Sequence, residues 1–243
     1  MFSFFKNKDS RGDRPIVTTD IHSHLLAGID DGVKTIAESI EIIKKFQELG
    51  YNKLITTPHI FPDFFNNTPE IIRAKLSELK DALAEQNIDV QIEAAAEYYL
   101  DESFIEQIEN GNELLTFGNN YLLFETGFMN EPINLKEIIF KLKSNGYNPV
   151  MAHPERYGYL ANNFELVEDL INRGVYMQLN INSISGYYSP EIKKMAEKLI
   201  DSKQVHFIGS DCHTYRHVEV LLDTRSKKYY NKALSLDLLN NSL

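Results

Sequence analysis

The sequence is poor in cysteine, in long apolar runs and in basic residues. Its single cysteine, Cys212, cannot form an internal disulfide, so nothing requires an oxidising compartment and a cytoplasmic location is expected. The apolar runs are far shorter than the roughly 18 residues that span a bilayer, so no transmembrane helix is expected. With 25 Lys and Arg against 35 Asp and Glu, and no basic run, binding to nucleic acid is not expected.

Linkers and low-complexity segments are also absent, and 43% of the 243 residues are hydrophobic, enough for a full core. We predict a flexible N-terminal tail over residues 1–14 and a single domain over residues 15–243. The apolar cluster of the tail is too brief for a secretory signal. Its aromatic residues Phe2, Phe4 and Phe5 could instead contact a membrane or a partner.

Short apolar runs alternate with longer amphipathic segments along the whole chain. This pattern is typical of a parallel sheet with helices between the strands, and therefore of an α/β fold. One such helix is predicted where Ile36, Ile40 and Ile43 recur at helical spacing. The predicted strands cover residues 16–19, 53–57, 90–95, 121–124, 149–152, 175–179 and 205–208.

Helix boundaries carry their own signals. Thr35 and Glu38 form a capping-box pattern, while Thr68 and Ser189 each precede a proline at a first-turn position. Three glycines follow helical patterns and suit a left-handed C-terminal cap, namely Gly50, Gly146 and Gly174.

The pattern of strands does not decide between an open doubly wound sheet and a closed barrel. The first strand leads into Asp20-Ile21-His22-Ser23-His24 rather than a glycine-rich turn. The segment Gly32-Val33-Lys34-Thr35 lacks the spacing of a P-loop. Both common motifs that cradle nucleotide phosphates are therefore missing.

Histidines and acidic residues follow six of the seven predicted strands. In parallel α/β folds the loops after the strands meet at one face, so we expect these side chains to converge there. In chain order they are Asp20, His22, His24, His59, Glu97, Glu125, His153, Asp211 and His213.

Such a cluster needs positive charge, because carboxylates packed together repel one another. Imidazole and carboxylate without thiolate suit Mn, Fe or Zn. Asp31, in the loop Asp30-Asp31-Gly32, adds another acid, and about nine ligands could hold two or three ions with Glu97 or another carboxylate bridging. Asp20 is expected behind the ligands, where it would hold an imidazole in one tautomer.

The charge of this cluster also indicates the substrate. Asp31, Glu97, Glu125 and Asp211 carry about −4 without metal, and three divalent ions change this to about +2. The site would then attract a phosphate or a similar anion. Activity is therefore predicted to depend strictly on metal.

Other residues have a structural alternative. Arg156 and Arg216 are expected on the same face of the fold as the metal ligands, where they could bind phosphate oxygens. A surface ion pair explains their spacing as well. Cys212 is predicted to be a small buried hydrophobe, because Arg216 is too close for a cysteine-phosphatase loop. His206 and His217 are assigned structural roles.

Taken together, these motifs resemble the polymerase and histidinol phosphatase (PHP) superfamily. Within it, the chain resembles the manganese-dependent protein tyrosine phosphatases of bacterial capsule and exopolysaccharide systems, the CpsB/CapC type. The resemblance spans about residues 20–216. It is carried by Asp20-Ile21-His22-Ser23-His24, Asp30-Asp31-Gly32, Thr57-Pro58-His59, Ala96-Glu97-Tyr98-Tyr99, Phe124-Glu125, Ala152-His153-Pro154-Glu155-Arg156-Tyr157 and Ser210-Asp211-Cys212-His213.

The resemblance implies a distorted seven-stranded (β/α) TIM-like barrel with three divalent ions per chain. Mn²⁺ is expected, with Fe or Zn as alternatives. Glu97 would bridge two of the ions, and Arg156 and Arg216 would bind phosphate. The implied ligand sets are His22, His24, Glu97 and Asp211 for one ion, Asp31, His59 and His213 for a second, and Glu97, Glu125 and His153 for a third.

The implied activity is hydrolysis of phosphotyrosine on protein by a metal-activated water. Asp211 and His213 are candidates for protonating the leaving oxygen. The implied partner is the tyrosine-rich C-terminal tail of a bacterial polysaccharide-export kinase, although the loop of residues 60–67 lacks the basic groups that would favour an acidic peptide. Alternatives are a histidinol-phosphate-like phosphatase, a nuclease-like phosphoesterase, and a non-catalytic metal-stabilised binding protein.

Overall fold

The structure, a computed structural model, describes residues 17–243. The predicted tail over residues 1–14 lies outside the described residues, as does Ile16, the first residue of the first predicted strand. Among the described residues, no helix is both long and apolar enough to cross a membrane.

Strands and helices alternate along the described part of the chain. The strands are β1 (Thr19–Asp20), β2 (Lys53–Thr56), β3 (His59–Ile60), β4 (Gln91–Ala94), β5 (Glu97–Tyr99), β6 (Tyr121–Glu125), β7 (Asn148–Ala152), β8 (Tyr176–Asn180) and β9 (Phe207–Gly209). The α-helices are α1 (Ile36–Glu48), α2 (Pro69–Glu85), α3 (Glu102–Glu109), α4 (Leu135–Ser144), α5 (Gly158–Asn162), α6 (Glu165–Asn172), α7 (Pro190–Asp201), α8 (Tyr215–Thr224) and α9 (Lys228–Ala233). Short 3₁₀ helices cover Pro154–Arg156, Ile181–Ser185 and Asn240–Ser242.

These strands form two parallel sheets, which confirms the predicted parallel α/β class. One sheet has the order β1-β2-β4 and the other has the order β3-β5-β6-β7-β8-β9. The first and last strands are linked beyond their ends, where Asp211 N donates to His22 O at 2.8 Å and His24 N donates to Cys212 O at 2.9 Å. The segments that follow the first and the last strand therefore lie side by side.

Two of the predicted strands are each followed by a short strand that was not predicted. The strand predicted over residues 53–57 is β2, and β3 follows it after Pro58, which has no N–H to donate to the ladder. The neighbouring strand, predicted over residues 90–95, is β4, and β5 follows it beside β3, with Glu97 N donating to Pro58 O at 3.1 Å. His59 and Glu97, expected after strands, instead begin β3 and β5.

The predicted helix signals are confirmed. Thr35 and Glu38 form a complete capping box at α1, and the side chains of Thr68 and Ser189 cap α2 and α7. All three predicted cap glycines have positive φ, including +91° at Gly50. Local chemistry therefore determines where these helices begin and end.

A compact apolar cluster lies between the two sheets. It includes Ile55 from the first sheet with Leu123, Val150 and Phe207 from the second, all fully buried. Because both sheets contribute to it, this cluster joins them into one domain.

Replacing Phe207 by alanine is expected to lower the free energy of unfolding by about 3–5 kcal/mol, because the cavity left among these strands cannot collapse fully. The matched control is Phe140→Ala on α4, where the ring is 71% exposed and the change should stay within about 0.5 kcal/mol. Urea denaturation measures both values. Equal losses for the two variants would contradict the assignment of Phe207 to the core.

Candidate metal centre

Apart from Asp20, the histidine and acidic side chains singled out from the sequence meet at the carboxyl ends of the strands. His22 and His24 follow β1, Glu125 ends β6, and His153 follows β7. Further members of the cluster are His59 and Glu97, which begin β3 and β5, Asp31 from the loop before α1, and Asp211 and His213 after β9. A rim built from many strand ends is where parallel α/β folds place their active sites.

Glu97 lies at the middle of the cluster. Its Oε2 is 3.1 Å from His22 Nε2 and 3.3 Å from His59 Nδ1. The same oxygen is 3.4 Å from His24 Nε2, while Oε1 is 3.1 Å from His153 Nε2. One carboxylate with only 1% of its surface exposed therefore faces four imidazoles.

Three overlapping groups of side chains place their ligand atoms within 4.8 Å of one another, close enough to share an ion. The groups are His24, Asp31, His59 and His213; His22, His24 and Asp211; and His59, Glu97 and Glu125. His153 lies beside the third group, with Nε2 at 3.8 Å from Glu125 Oε2. Compared with the expected ligand sets, the structure adds His24 to the second set. It also places His59 at 3.3 Å from both Glu97 and Glu125, whereas His153 is 3.1 Å from Glu97 and 3.8 Å from Glu125.

Two side chains orient the imidazoles of His22 and His24. His22 Nδ1 donates to Gln178 Oε1 at 2.7 Å, and His24 Nδ1 donates to Asp30 Oδ2 at 2.8 Å. With the proton on Nδ1, the lone pair of each Nε2 points into the cluster.

Asp20 was expected to hold an imidazole in one tautomer, but in the structure Asp30 does this for His24. The carboxylate of Asp20 instead accepts from Ser210 N and from Ser210 Oγ, both at 2.8 Å. Burial raises the pKa of Asp20 to about 7, although both of these hydrogen bonds lower it. Asp20 therefore joins β1 to the segment after β9 rather than holding a histidine.

The imidazole nitrogens and carboxylate oxygens of the cluster are suitable ligands for a divalent cation. His22 Nε2 and His24 Nε2 lie 3.3 Å apart, so two lone pairs face each other and both face the oxygens of Glu97 and Asp211. Only a cation or additional protons can satisfy so many acceptors.

The pKa directions describe the same demand for positive charge. Burial would raise the pKa of Glu97, but the charges of His22 and His59 hold it well below its usual range. Burial would lower the pKa of His59, but Glu97 raises it to about 10. Without metal, protons on the histidines must therefore balance the carboxylates.

Two cluster members have a strained backbone. His153 and Asp211 have φ values of +35° and +49°, in the left-handed region that residues with a Cβ rarely adopt. Such strain persists where the surrounding structure enforces it, and it is concentrated at functional sites. Here it turns both side chains toward Glu97 and His22.

The two candidate arginines differ in their positions. Arg156 Nη1 lies 3.2 Å from Asp211 Oδ2, and its guanidinium packs over the rings of Phe128 and Tyr188. Arg216, the second residue of α8, has a side chain that is 68% exposed and pairs with Glu219 at 2.8 Å. Arg156 thus reaches the cluster, whereas Arg216 does not line the cavity beside it in this structure, and its role in phosphate binding stays a prediction.

Sequence reasoning missed the contribution of β8. Gln178 Nε2 donates to Asn180 Oδ1, and Asn180 Nδ2 donates to Asp211 Oδ2 at 2.7 Å. Both side chains are fully buried. The available signal was two polar residues spaced by two in an otherwise apolar strand, which places them on the same face.

Replacing Gln178 by leucine is expected to weaken metal binding about 10- to 100-fold, the usual effect of losing a partner that orients a ligand. His22 Nδ1 would lose its acceptor, and Asn180 would lose its donor. Competition against a fluorescent chelator measures the affinity, with the exposed Gln91→Leu as control. Unchanged affinity in the Gln178 variant would remove this orienting role.

A cavity of about 540 Å³ opens onto the cluster. Its lining includes Asp31, Glu97, Arg156, Asp211 and His213, together with several aromatic side chains. His217 also lines it, while His217 Nδ1 accepts from His213 N at 3.2 Å.

Cys212 and His206 lie outside the cavity lining and have no chemical role in the cluster. Burial raises the pKa of the fully buried Cys212 thiol well above its usual value, so it is not a nucleophile at neutral pH. His206 Nδ1 accepts from Met177 N at 3.1 Å, away from the cavity.

A parallel α/β fold with histidines and carboxylates at its strand ends, beside an arginine in a cavity, has the features of a metal-dependent hydrolase. The comparison with known families makes this class specific. The model of the family described as "Capsular polysaccharide synthesis, CpsB/CapC" matches residues 18–237. The chain belongs to the CpsB/CapC family.

Individual relatives cover most of the chain. CapC of Staphylococcus aureus is 32% identical over 92% of this chain and 89% of its own. YwqE of Bacillus subtilis, named a tyrosine-protein phosphatase, is 29% identical over 81% of this chain and 78% of its own. CpsB of Streptococcus pneumoniae, also named a tyrosine-protein phosphatase, is 28% identical over 86% and 90%, respectively.

Solved structures agree on the fold. A chain from the crystal structures of YwqE from Bacillus subtilis and CpsB from Streptococcus pneumoniae, described as unique metal-dependent tyrosine phosphatases, matches with a TM-score of 0.79 and 26% identity over 89% of each chain. An amidohydrolase from Mycoplasma synoviae matches with a TM-score of 0.55 and 11% identity over 93% of this chain and 87% of its own. The second likeness concerns the fold alone.

Proposed function

We propose that the chain is a metal-dependent protein tyrosine phosphatase that hydrolyses phosphotyrosine with water as the nucleophile. The observation that carries this proposal is the position of Arg156, which lies against Asp211 in the same cavity as the cluster around Glu97. The cavity thus offers a cation site and a guanidinium to one anionic group. The activity of the named relatives and their matching fold support the choice of phosphotyrosine.

The metal content and the closed form of the fold are part of the proposal. We propose three ions per chain, Mn²⁺ in preference to Fe or Zn, held by the imidazole and carboxylate donors described above. The three overlapping donor groups support this number. We also propose a distorted seven-stranded barrel, in which β2 with β3 and β4 with β5 each count as one interrupted strand and the contacts of His22 and His24 with the segment after β9 close the ring.

The side chains of the cavity have distinct roles in the proposed reaction. When bound, divalent ions polarise phosphoryl oxygens and lower the pKa of an attacking water. Arg156 binds the equatorial oxygens and stabilises the charge that develops on them. Asp211 holds Arg156 in place by accepting a hydrogen bond from its guanidinium, and Asn180 in turn donates to Asp211.

Asp211 and His213 line the cavity and are the two candidates for supplying the proton that the tyrosyl oxygen takes as it leaves. Burial would raise the pKa of Asp211, but the charges of His22 and His213 hold it well below its usual range, so Asp211 is ionised at neutral pH and His213 is the better candidate. A phenolate needs this proton less than an alkoxide does. Arg216 remains a second candidate for binding phosphate, which requires its guanidinium to leave Glu219.

The proposed substrate is a phosphotyrosyl protein, specifically the C-terminal tail of a bacterial tyrosine kinase of polysaccharide export. Membership in a family described by capsular polysaccharide synthesis supports this choice. The cytoplasmic location expected from the single cysteine would place the enzyme with such a tail, and it stays a prediction.

The decisive experiment compares substrates on protein purified without chelator. Phosphotyrosyl peptide, histidinol phosphate and single-stranded DNA are supplied at equal concentration, and elemental analysis counts the ions per chain. We expect the peptide to be hydrolysed most rapidly, with three ions per chain. Preference for either other substrate would overturn the tyrosine assignment, and a single ion would overturn the three-ion scheme.

A further inference from the structure

One wall of the cavity is built from aromatic side chains. The loop after β3 supplies Phe61, Phe64 and Phe65, and β5 supplies Tyr99; we call these four residues the aromatic wall. The loop is folded back on itself, with Phe65 N donating to Phe61 O at 2.6 Å. Its rings are thereby held along one side of the cavity.

Most rings of the wall are already engaged with neighbours. Phe61 stacks on Tyr99, with centroids 4.0 Å apart and planes 11° apart. Phe65 stacks on His59 at 5.3 Å, directly beside the cluster. Phe64 lies 4.7 Å from Phe61 at a tilt of 42°, yet it remains 71% exposed. The wall thus runs from the candidate metal centre to a ring with free surface.

We propose that the aromatic wall binds the phenyl ring of phosphotyrosine and that Phe64 gives the site its preference for aryl over alkyl phosphates. This inference rests on the proposed function. A phosphate held by Arg156 and the cluster fixes one end of the substrate, and the rest must continue along the cavity. Aromatic rings bind one another in offset or edge-to-face arrangements, which an alkyl group cannot reproduce.

The other aromatic residues of the cavity are occupied differently. Arg156 lies 4.7 Å from the ring centroid of Phe128 and 4.9 Å from that of Tyr188. These two rings therefore support the guanidinium rather than the substrate ring. The loop of residues 60–67 cannot attract the anionic substrate by charge, since its only charged residue is Asp63. Its contribution to substrate binding therefore comes from its aromatic rings.

The test measures binding without bond cleavage, because phenols leave more readily than alcohols and would bias a comparison of rates. Benzylphosphonate and cyclohexylmethylphosphonate present the same anionic group and the same number of carbons, and their inhibition constants are determined on the metal-loaded enzyme. We expect the wild type to bind benzylphosphonate about tenfold more tightly than the cyclohexyl compound. In Phe64→Ala this ratio should fall to about twofold, while Phe64→Tyr should retain it.

Phe140→Ala is the matched control, because Phe140 is also 71% exposed but lies on α4 outside the cavity lining. Its ratio should equal that of the wild type. The inference is overturned if the wild type shows no preference for the benzyl compound, if Phe64→Ala keeps the full ratio, or if it weakens both compounds equally. The proposed function fails separately, if the wild type does not hydrolyse phosphotyrosyl peptide.

Discussion

Replacing Glu97 by glutamine is expected to reduce the hydrolysis of phosphotyrosyl peptide at least about a thousandfold, which corresponds to about 4 kcal/mol of transition-state stabilisation. The two oxygens of Glu97 face four imidazoles at 3.1–3.4 Å, more than any other carboxylate among residues 17–243. An amide keeps the shape but removes the negative charge. Its N–H₂ group would also point donors at atoms that must bind a cation.

Metal content should change together with activity in the Glu97 variant. We expect elemental analysis to show the loss of at least one ion per chain, because Glu97 is the proposed bridging ligand. The control is Glu93→Gln on β4, a half-buried carboxylate that pairs with Lys53 at 2.9 Å away from the cavity. A Glu97 variant with full metal content and wild-type kcat/KM would refute the proposed centre.

Replacing Arg156 by alanine is expected to lower kcat about 100- to 1000-fold, as the loss of one preorganised donor to a developing negative charge usually does. The guanidinium is held by Asp211 and by the rings of Phe128 and Tyr188, so it needs little reorganisation to meet the phosphoryl group. Metal content should stay unchanged, which separates this variant from the Glu97 variant. Steady-state kinetics with phosphotyrosyl peptide provide the measurement.

Arg156→Lys distinguishes charge from geometry. Lysine keeps the positive charge but cannot form two parallel hydrogen bonds or stack as a plane, so we expect it to recover only part of the lost activity. Arg173→Ala serves as control, since this exposed arginine on the C-terminal end of α6 pairs with Asp169. A loss in the control as large as that in Arg156→Ala would show that the effect is not specific to the cavity.

The helix boundaries and most strands could be predicted because their signals are local. A capping box, a proline at the first turn and a glycine with positive φ act within a few residues, and these are the features that the structure confirms. The strand interruption at Pro58 was also encoded locally, in the missing N–H of proline. What periodicity could not indicate was that the short strands β3 and β5 would pair beyond the ends of the two predicted strands.

The roles of residues that act through a partner were not predictable from the sequence. Gln178 and Asn180 lie in an apolar strand, and their importance comes only from the positions of His22 and Asp211 opposite them. Asp20 shows the reverse case. Its place beside two histidines in the sequence suggested a contact with an imidazole, but its carboxylate binds Ser210 instead. Arg216 shares the spacing of Arg156 but pairs with Glu219 at the surface.

The sequence by itself determined the donor set and the parallel α/β class, because residue types fix the available ligand chemistry and alternating apolar segments fix the layers. Only the tertiary structure decided how those donors are grouped, which imidazole nitrogen faces the centre, and which arginine reaches it. The physical reason is that these properties depend on contacts between distant parts of the chain. His22 meets Asp211 only where the first strand lies beside the last.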